Sequence, residues 1–101
     1  MSLKELQKYV QDWINNVGET NWTKWNYFSR LVEEVGEVGE QISLSEGVKK
    51  HKRYDKVTLE EEIGDVLFVL LALSNELGID LSEAFRRVRE KHKRKFGDIK
   101  K

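Results

Sequence analysis

Apolar residues recur at three- and four-residue spacing along most of the chain, which is the pattern of amphipathic helices. No segment shows the sustained alternation of apolar and polar residues that is typical of a half-buried strand. The pattern separates into four predicted helices, which end at glycines or polar turns. They span residues 3–17, roughly 26–44, 58–77 and 81–96. We therefore predict an all-α fold, an antiparallel four-helix bundle formed by a single domain over residues 1–101.

Three of the predicted helices begin with a capping-box pattern, in which a serine, threonine or aspartate is followed three residues later by glutamate. The residue pairs are Ser2 with Glu5, Thr58 with Glu61, and Asp80 with Glu83. Residues 47–57 are polar and basic, and we predict a loop there between the second and third helices.

The helices differ in how much of their surface is predicted to be buried. Trp13 lies on the apolar stripe of the first helix and is predicted to belong to the core. The third helix reads VLFVLLAL over residues 66–73, which is apolar nearly all the way round, so we expect it to be buried on most sides. The second helix has one predicted buried stripe, formed by Phe28, Leu31, Val35, Val38 and Ile42.

An acidic, glycine-containing pentapeptide occurs twice, as EEVGE at 33–37 and EEIGD at 61–65. Residues three apart on a helix share a face, so each copy presents two neighbouring carboxylates. A single such pair is typical of a solvated helix face, but the second copy leads into the apolar third helix. Four converging carboxylates repel one another by roughly 4 kcal/mol per close pair at an effective dielectric near 20, which a bound cation would offset. The predicted ligands are Glu34, Glu37, Glu62 and Asp65.

The ligand chemistry favours a hard cation. Neither acidic copy carries the Glu-x-x-His pair of di-iron bundles. Zinc prefers histidine or cysteine ligands, and the chain has two histidines and no cysteine. Carboxylate-only ligation suits Mg²⁺ or Mn²⁺, and protein-bound Mg²⁺ typically meets substrate phosphates. A nucleotide or another polyphosphate is the substrate class that this site predicts.

Charge is distributed unevenly although the formal net charge is zero. Residues 33–65 contain ten acidic side chains, whereas residues 86–95 contain seven Lys or Arg and one Glu. Nucleic-acid binding through residues 86–95 is the weakest hypothesis, because the acidic centre and the zero net charge oppose it. The longest apolar run, residues 66–75, is about half a membrane span, and the N-terminus lacks a signal pattern, so we expect a soluble cytoplasmic protein.

The paired acidic motifs resemble those of the MazG-type nucleotide pyrophosphohydrolases, in which E-E-x-x-E is followed, after a spacer, by E-x-x-D. The resemblance spans most of the chain and implies an enzyme that hydrolyses (d)NTPs to (d)NMPs and pyrophosphate, with removal of non-standard nucleotides as a role. It implies Mg²⁺ as the cofactor, with Mn²⁺ as a substitute, bound by the four acidic residues named above. Glu33 is a candidate for orienting or deprotonating the attacking water, although its helical angle points it away from Glu34.

The resemblance also implies residues that bind the substrate. Lys91 and Lys95 would grip phosphates beside His92, and Trp22 or Trp25 would stack on the base. Each of these residues has an alternative interpretation. The lysines could belong to a solvated helix end and the histidine could be half-buried. The tryptophans could pack in the core or at a subunit interface.

Members of this family build their sites at subunit interfaces, which implies a homodimer or homotetramer, and the small size of the chain makes oligomerisation an expectation in its own right. The rival hypothesis is a non-catalytic helical interaction module. In that module, the acidic helices would form an ion-pair network with the basic tail of another subunit.

Overall fold

A computed structural model describes residues 1–18, 21–47 and 53–98 of the chain. These residues form four helices and, within the described ranges, no strand, which confirms the all-α prediction. Helix α2 packs along α3, α1 packs on α3, and α4 packs against α1. None of the described helices combines the length with the apolar character that crossing a membrane requires. The helices are α1 (Leu3–Val17), α2 (Lys24–Ser45), α3 (Lys56–Glu76) and α4 (Leu81–Phe96).

Helix α1 begins at the predicted capping box. The Ser2 hydroxyl accepts from the Glu5 amide at 3.1 Å, and the Ser2 amide donates to the Glu5 carboxylate at 3.0 Å. Helix α2 begins two residues earlier than predicted, because Thr23 and Asn26 form an equivalent box. There the Asn26 side-chain oxygen accepts from the Thr23 amide at 2.8 Å, so an amide replaces the expected glutamate.

The predicted start of α3 is wrong. Asp55 is the N-cap, since its carboxylate accepts from the Val57 amide at 3.2 Å. Thr58 lies within the first turn, where its hydroxyl donates to the Asp55 carboxylate at 3.0 Å. Of the predicted loop over residues 47–57, residues 56 and 57 are therefore helical, and residues 48–52 lie outside the described part of the chain.

Helix α4 begins as predicted at Asp80, whose carboxylate accepts from the Ser82 and Glu83 amides at 2.9 and 3.3 Å. The second half of its predicted capping box is not formed. The Glu83 carboxylate instead accepts from the Arg86 guanidinium, one turn further along the helix. Ion pairing of Glu83 with arginine has replaced its expected bond to the Asp80 amide.

A small core joins α1, α2 and α3. Its buried residues are Val10, Ile14, Tyr27, Leu71 and Ala72. Trp13 is not one of them, contrary to the prediction: it is 44% exposed and its ring meets Phe68 edge-on, with the ring centroids 5.5 Å apart.

The buried face of α2 is rotated from the predicted stripe. Phe28, Val35 and Ile42 are each about half exposed, whereas Tyr27 and Glu34 are buried. The reason is that α3 covers the face on which the acidic residues lie, so the strongly apolar positions point away from it. Helix α3 is likewise buried on one side only, since four of its apolar residues are exposed. These are Val57, Ile63, Leu67 and Leu70.

A buried glutamine fastens α1 to the turn between α3 and α4. The Gln7 side-chain amide donates to the Asn75 side chain at 3.0 Å and to the Ile79 carbonyl at 2.8 Å. Its oxygen accepts from the Leu81 amide at 3.0 Å, and Asn75 donates to the Gln7 carbonyl at 2.8 Å. Every polar atom of the Gln7 side chain thus has a partner, as burial demands.

Candidate metal centre

Helices α2 and α3 bring acidic side chains together where they pack. One carboxylate oxygen from each of Glu34, Glu62 and Asp65 lies within 4.8 Å of the others. Glu37 follows Glu34 by one turn of α2 and forms a side-chain hydrogen bond with Glu62. Three of the four acidic residues selected as ligands from the sequence therefore meet at one place, and Glu37 neighbours two of them. We call these four residues the acidic cluster.

Burial of the acidic cluster is uneven. Glu34 is only 2% exposed, Glu62 is partly buried and Asp65 is exposed. The Oε2 atoms of Glu34 and Glu62 are both shielded from solvent and, within the described residues, have no hydrogen-bond donor. A buried acceptor without a partner is costly, so these two atoms require a proton or a cation.

Arg30 neutralises part of this charge. Its Nε lies 2.9 Å from Oε1 of Glu34, and its Nη1 lies 3.5 Å from Glu33. Glu33 is mostly exposed and pairs with Arg30 on the outer side of α2. Arg30 was not among the residues predicted from the sequence. The sequence did contain a signal, because Arg30 lies four residues before Glu34, the spacing of an (i, i+4) ion pair on a helix.

Two carboxyl groups of the cluster, those of Glu34 and Glu62, have a pKa above the ordinary value of glutamate. Burial is the main cause of the raised pKa of Glu34; the charge of Glu37 adds to it and that of Arg30 opposes it. The pKa of Glu62 is raised mainly by a hydrogen bond with Glu37, then by burial and then by the neighbouring negative charges. Together they raise the pKa of Glu62 to about 7.

These observations fit a hard divalent cation. Every atom that the acidic cluster offers to a cation is a carboxylate oxygen, the ligand type that Mg²⁺ and Mn²⁺ prefer. A cation would also supply the partner that the buried oxygens of Glu34 and Glu62 lack. The residues present are therefore compatible with the Mg²⁺ that the sequence predicts.

Two pockets adjoin the acidic cluster, and different members of the cluster line each of them. The aromatic pocket, of about 390 Å³, has Glu34 and Asp65 in its wall together with Arg30. The polar pocket, of about 490 Å³, has Glu37 and Glu62 in its wall. The aromatic side chains of the aromatic pocket are Trp13, Trp22, Tyr27 and Phe68, and Ile14, Val69 and Ala72 complete its wall. The other side chains of the polar pocket are Glu40, Gln41, Leu44 and Arg53.

The two tryptophans predicted to stack on a base are in different places. Trp22 lines the aromatic pocket, where its ring centroid lies 5.3 Å from that of Tyr27. Trp25 does not line that pocket; it is 69% exposed and its ring lies 6.5 Å from Phe28. Trp13 and Tyr27, which the sequence analysis did not select, complete the aromatic wall.

The predicted phosphate-binding residues of α4 lie elsewhere. Lys91, His92 and Lys95 are exposed, and in the single chain none of them lines either pocket. His92 meets Phe96 on the same helix, with ring centroids 6.3 Å apart. The cations that do line the two pockets, among the described residues, are Arg30 and Arg53.

Comparison with known proteins gives consistent results. The chain is 40% identical over 91 residues to the uncharacterized protein YpjD of Bacillus subtilis (strain 168), covering 89% of this chain and 82% of that protein. A crystal structure of the Bacillus-conserved MazG protein, a nucleotide pyrophosphohydrolase, matches with a TM-score of 0.74 and 33% identity, over 90% of this chain and 88% of that one.

The nucleoside triphosphate pyrophosphohydrolase of Escherichia coli (strain K12) is 29% identical over 100 residues, but this chain spans only 35% of its length. Residues 23–97, which include α2, α3 and α4 with both acidic pairs, match the model of the MazG nucleotide pyrophosphohydrolase domain. The resemblance noted from the acidic motifs is confirmed, and the chain belongs to the MazG nucleotide pyrophosphohydrolase family.

Proposed function

We propose that the protein hydrolyses nucleoside triphosphates to the monophosphate and pyrophosphate, with Mg²⁺ or Mn²⁺ as cofactor. The observation that carries the proposal is the acidic cluster, whose buried oxygens lack donors, placed beside an aromatic pocket large enough for a base. Glu34, Glu37, Glu62 and Asp65 are the proposed metal ligands. When bound, the cation would offset phosphate charge and lower the pKa of a water that attacks phosphorus.

Arg30 holds Oε1 of Glu34 and leaves Oε2 without a donor, so it orients one proposed ligand. Glu33 keeps the proposed role of orienting the water or accepting its proton. Its carboxylate is exposed and would have to separate from Arg30 to do so. Substitution of Glu33 by Gln removes the basic oxygen while keeping the shape, and it tests this role directly.

The base would occupy the aromatic pocket. Trp22 and Tyr27 offer the faces on which a base stacks, and stacking of this kind tolerates different bases. Glu34 and Asp65 in the same wall place the proposed cation next to that position. Trp25 is the weaker candidate for base stacking because it lies outside the pocket.

We also propose that the chain assembles into a homodimer or homotetramer. One outer stripe of α2 is apolar at heptad-like spacing and about half exposed or more: Trp25, Phe28, Val32, Val35 and Ile42. Helix α3 adds four further exposed apolar residues, Val57, Ile63, Leu67 and Leu70. A surface so apolar is typical of a protein interface. In such an assembly, Lys91, His92 and Lys95 of one copy would be available to the site of another.

The test of the reaction is a panel of (d)NTPs incubated with Mg²⁺ or Mn²⁺, with products resolved as monophosphate plus pyrophosphate or as diphosphate plus phosphate. We expect Glu37→Ala and Asp65→Ala each to lower turnover by at least about 100-fold, because each removes a proposed ligand. Glu60→Ala, an exposed acidic residue of α3, is the matched control and should leave turnover unchanged. Circular dichroism checks that each variant is folded.

Retained activity in both ligand variants would contradict the site assignment, and release of no pyrophosphate by the native protein would contradict the function. The rival interaction module then becomes the better account. It predicts that chelators leave the melting temperature unchanged and that Mg²⁺ with nucleotide does not raise it by mass action.

A further inference from the structure

The polar pocket contains a cation without a partner. Arg53 precedes α3 and lines this pocket with Glu37 and Glu62, yet within the described residues its guanidinium makes no hydrogen bond or ion pair. Arg30, on the other side of the acidic cluster, is already paired with Glu33 and Glu34. Of the two arginines that line the pockets, Arg53 is the one available to bind an anion.

The acidic cluster contributes two residues to the wall of each pocket, and this division gives a bound nucleotide a direction. Glu34 and Asp65 line the aromatic pocket, whereas Glu37 and Glu62 line the polar pocket. A nucleotide with its base in the aromatic pocket and phosphates at the cluster therefore extends towards the polar pocket. The distal end of its phosphate chain arrives on the side of Arg53.

The polar pocket has the space and the unfilled hydrogen-bonding capacity for such a group. Oε1 of Gln41 is shielded from solvent and has no donor among the described residues. Gln41 lines this pocket, so a hydrated ligand would give that oxygen a donor. The pocket volume of about 490 Å³ holds several waters beside a pyrophosphate, since a liquid water occupies about 30 Å³.

We propose that Arg53 binds the β- and γ-phosphates of the substrate, and that the polar pocket is the binding site of the pyrophosphate product. The proposal rests on the proposed function, because it takes the base position and the cation at the acidic cluster from it. Arginine suits this role since its planar guanidinium forms two parallel bonds with phosphate oxygens. Arg53 is thus a substrate-binding residue that acts on the pyrophosphate half of the molecule alone.

The experiment separates the two halves of the substrate by equilibrium binding. Inorganic pyrophosphate and the four 2′-deoxynucleoside monophosphates are titrated calorimetrically, in MgCl₂, into the native protein and into Arg53→Gln, Arg53→Lys and Trp22→Ala. Arg89→Gln, an exposed arginine of α4, is the matched control. We expect Arg53→Gln to weaken pyrophosphate binding about tenfold and to leave monophosphate binding unchanged. Arg53→Lys should recover part of the loss, and Trp22→Ala should weaken monophosphate binding alone.

Unchanged pyrophosphate affinity in Arg53→Gln, or an equal loss for pyrophosphate and monophosphate, would overturn the assignment of Arg53. If the native protein hydrolyses a (d)NTP and Arg53→Gln still binds pyrophosphate normally, this inference alone fails. If the native protein hydrolyses no (d)NTP and binds neither product in MgCl₂, the proposed function fails together with it.

Discussion

At the scale of single residues, the negative charge of the acidic cluster is partly offset by one arginine. Arg30 compensates the charge of Glu34, which is almost completely buried. Glu37 and Glu62 form the other half, and the raised pKa of Glu62 means that it takes up a proton more readily than an ordinary glutamate does. A divalent cation would replace that proton. Metal binding and protonation therefore compete for the same oxygens.

This competition predicts an unusual dependence of stability on pH. The pKa of Glu62 is raised to about 7 in the folded protein, so between its ordinary value and about 7 the folded state binds more protons than the unfolded state. The stability that this group contributes is complete below its ordinary pKa and is lost as pH rises through about 7. In EDTA, we expect the melting temperature to fall between about pH 5 and about pH 8.

Thermal unfolding followed by circular dichroism measures this effect. MgCl₂ should reduce the fall, because the cation then satisfies the carboxylates at high pH. Glu62→Gln, which cannot ionise, is the matched variant and should flatten the metal-free profile. A metal-free profile in Glu62→Gln that is as steep as that of the native protein would exclude Glu62 as the source.

At the scale of elements, the start of α3 matters most because this helix carries two residues of the acidic cluster. Periodicity and capping patterns placed its start at Thr58, whereas Asp55 is the cap in the structure. The pattern was ambiguous because Thr58 does have glutamate three residues on, and only the hydrogen bonds show that its hydroxyl serves Asp55 instead. Helix type and number are thus more predictable than helix ends.

The two possible caps make different predictions. Asp55→Ala should destabilise the protein by about 1 kcal/mol, the usual cost of losing an N-cap, while Asp55→Asn should retain most of the stability. Thr58→Ala should cost less, since it removes only a hydroxyl that donates to the cap. Urea denaturation of the three variants measures the free energies of unfolding. A larger loss in Thr58→Ala than in Asp55→Ala would restore the start expected from the sequence.

At the scale of the whole molecule, the single chain leaves large apolar side chains of α2 and α3 exposed. Helices α2 and α3 each have one buried face and other apolar side chains that are exposed. In the single chain, α3 is therefore not buried on most sides, contrary to the prediction from its sequence. A second copy of the chain is proposed to cover its exposed apolar side chains.

Light scattering after size-exclusion chromatography tests the assembly. We expect the native protein to elute as a dimer or tetramer, and Val32→Lys to shift it towards the monomer, because a lysine charge would be buried in the proposed interface. Val32 is 57% exposed in the single chain, so this change should not unfold a monomer. Asn16→Lys, on the exposed side of α1, is the control. A native protein that is already monomeric would contradict the assembly.

The sequence by itself determined the four helices and the acidic pairs, because both depend on residues within one or two helical turns of each other. It also contained Arg30 at one turn from Glu34, a signal that was local but not recognised. Only the tertiary structure decided which face of α2 is buried, that Trp13 and Tyr27 line a pocket, and that Arg53 lies beside the acidic cluster. These features join residues far apart in the chain, as the bond from Gln7 to Ile79 also does. Such contacts depend on how whole helices pack against one another, and helical periodicity does not specify that packing.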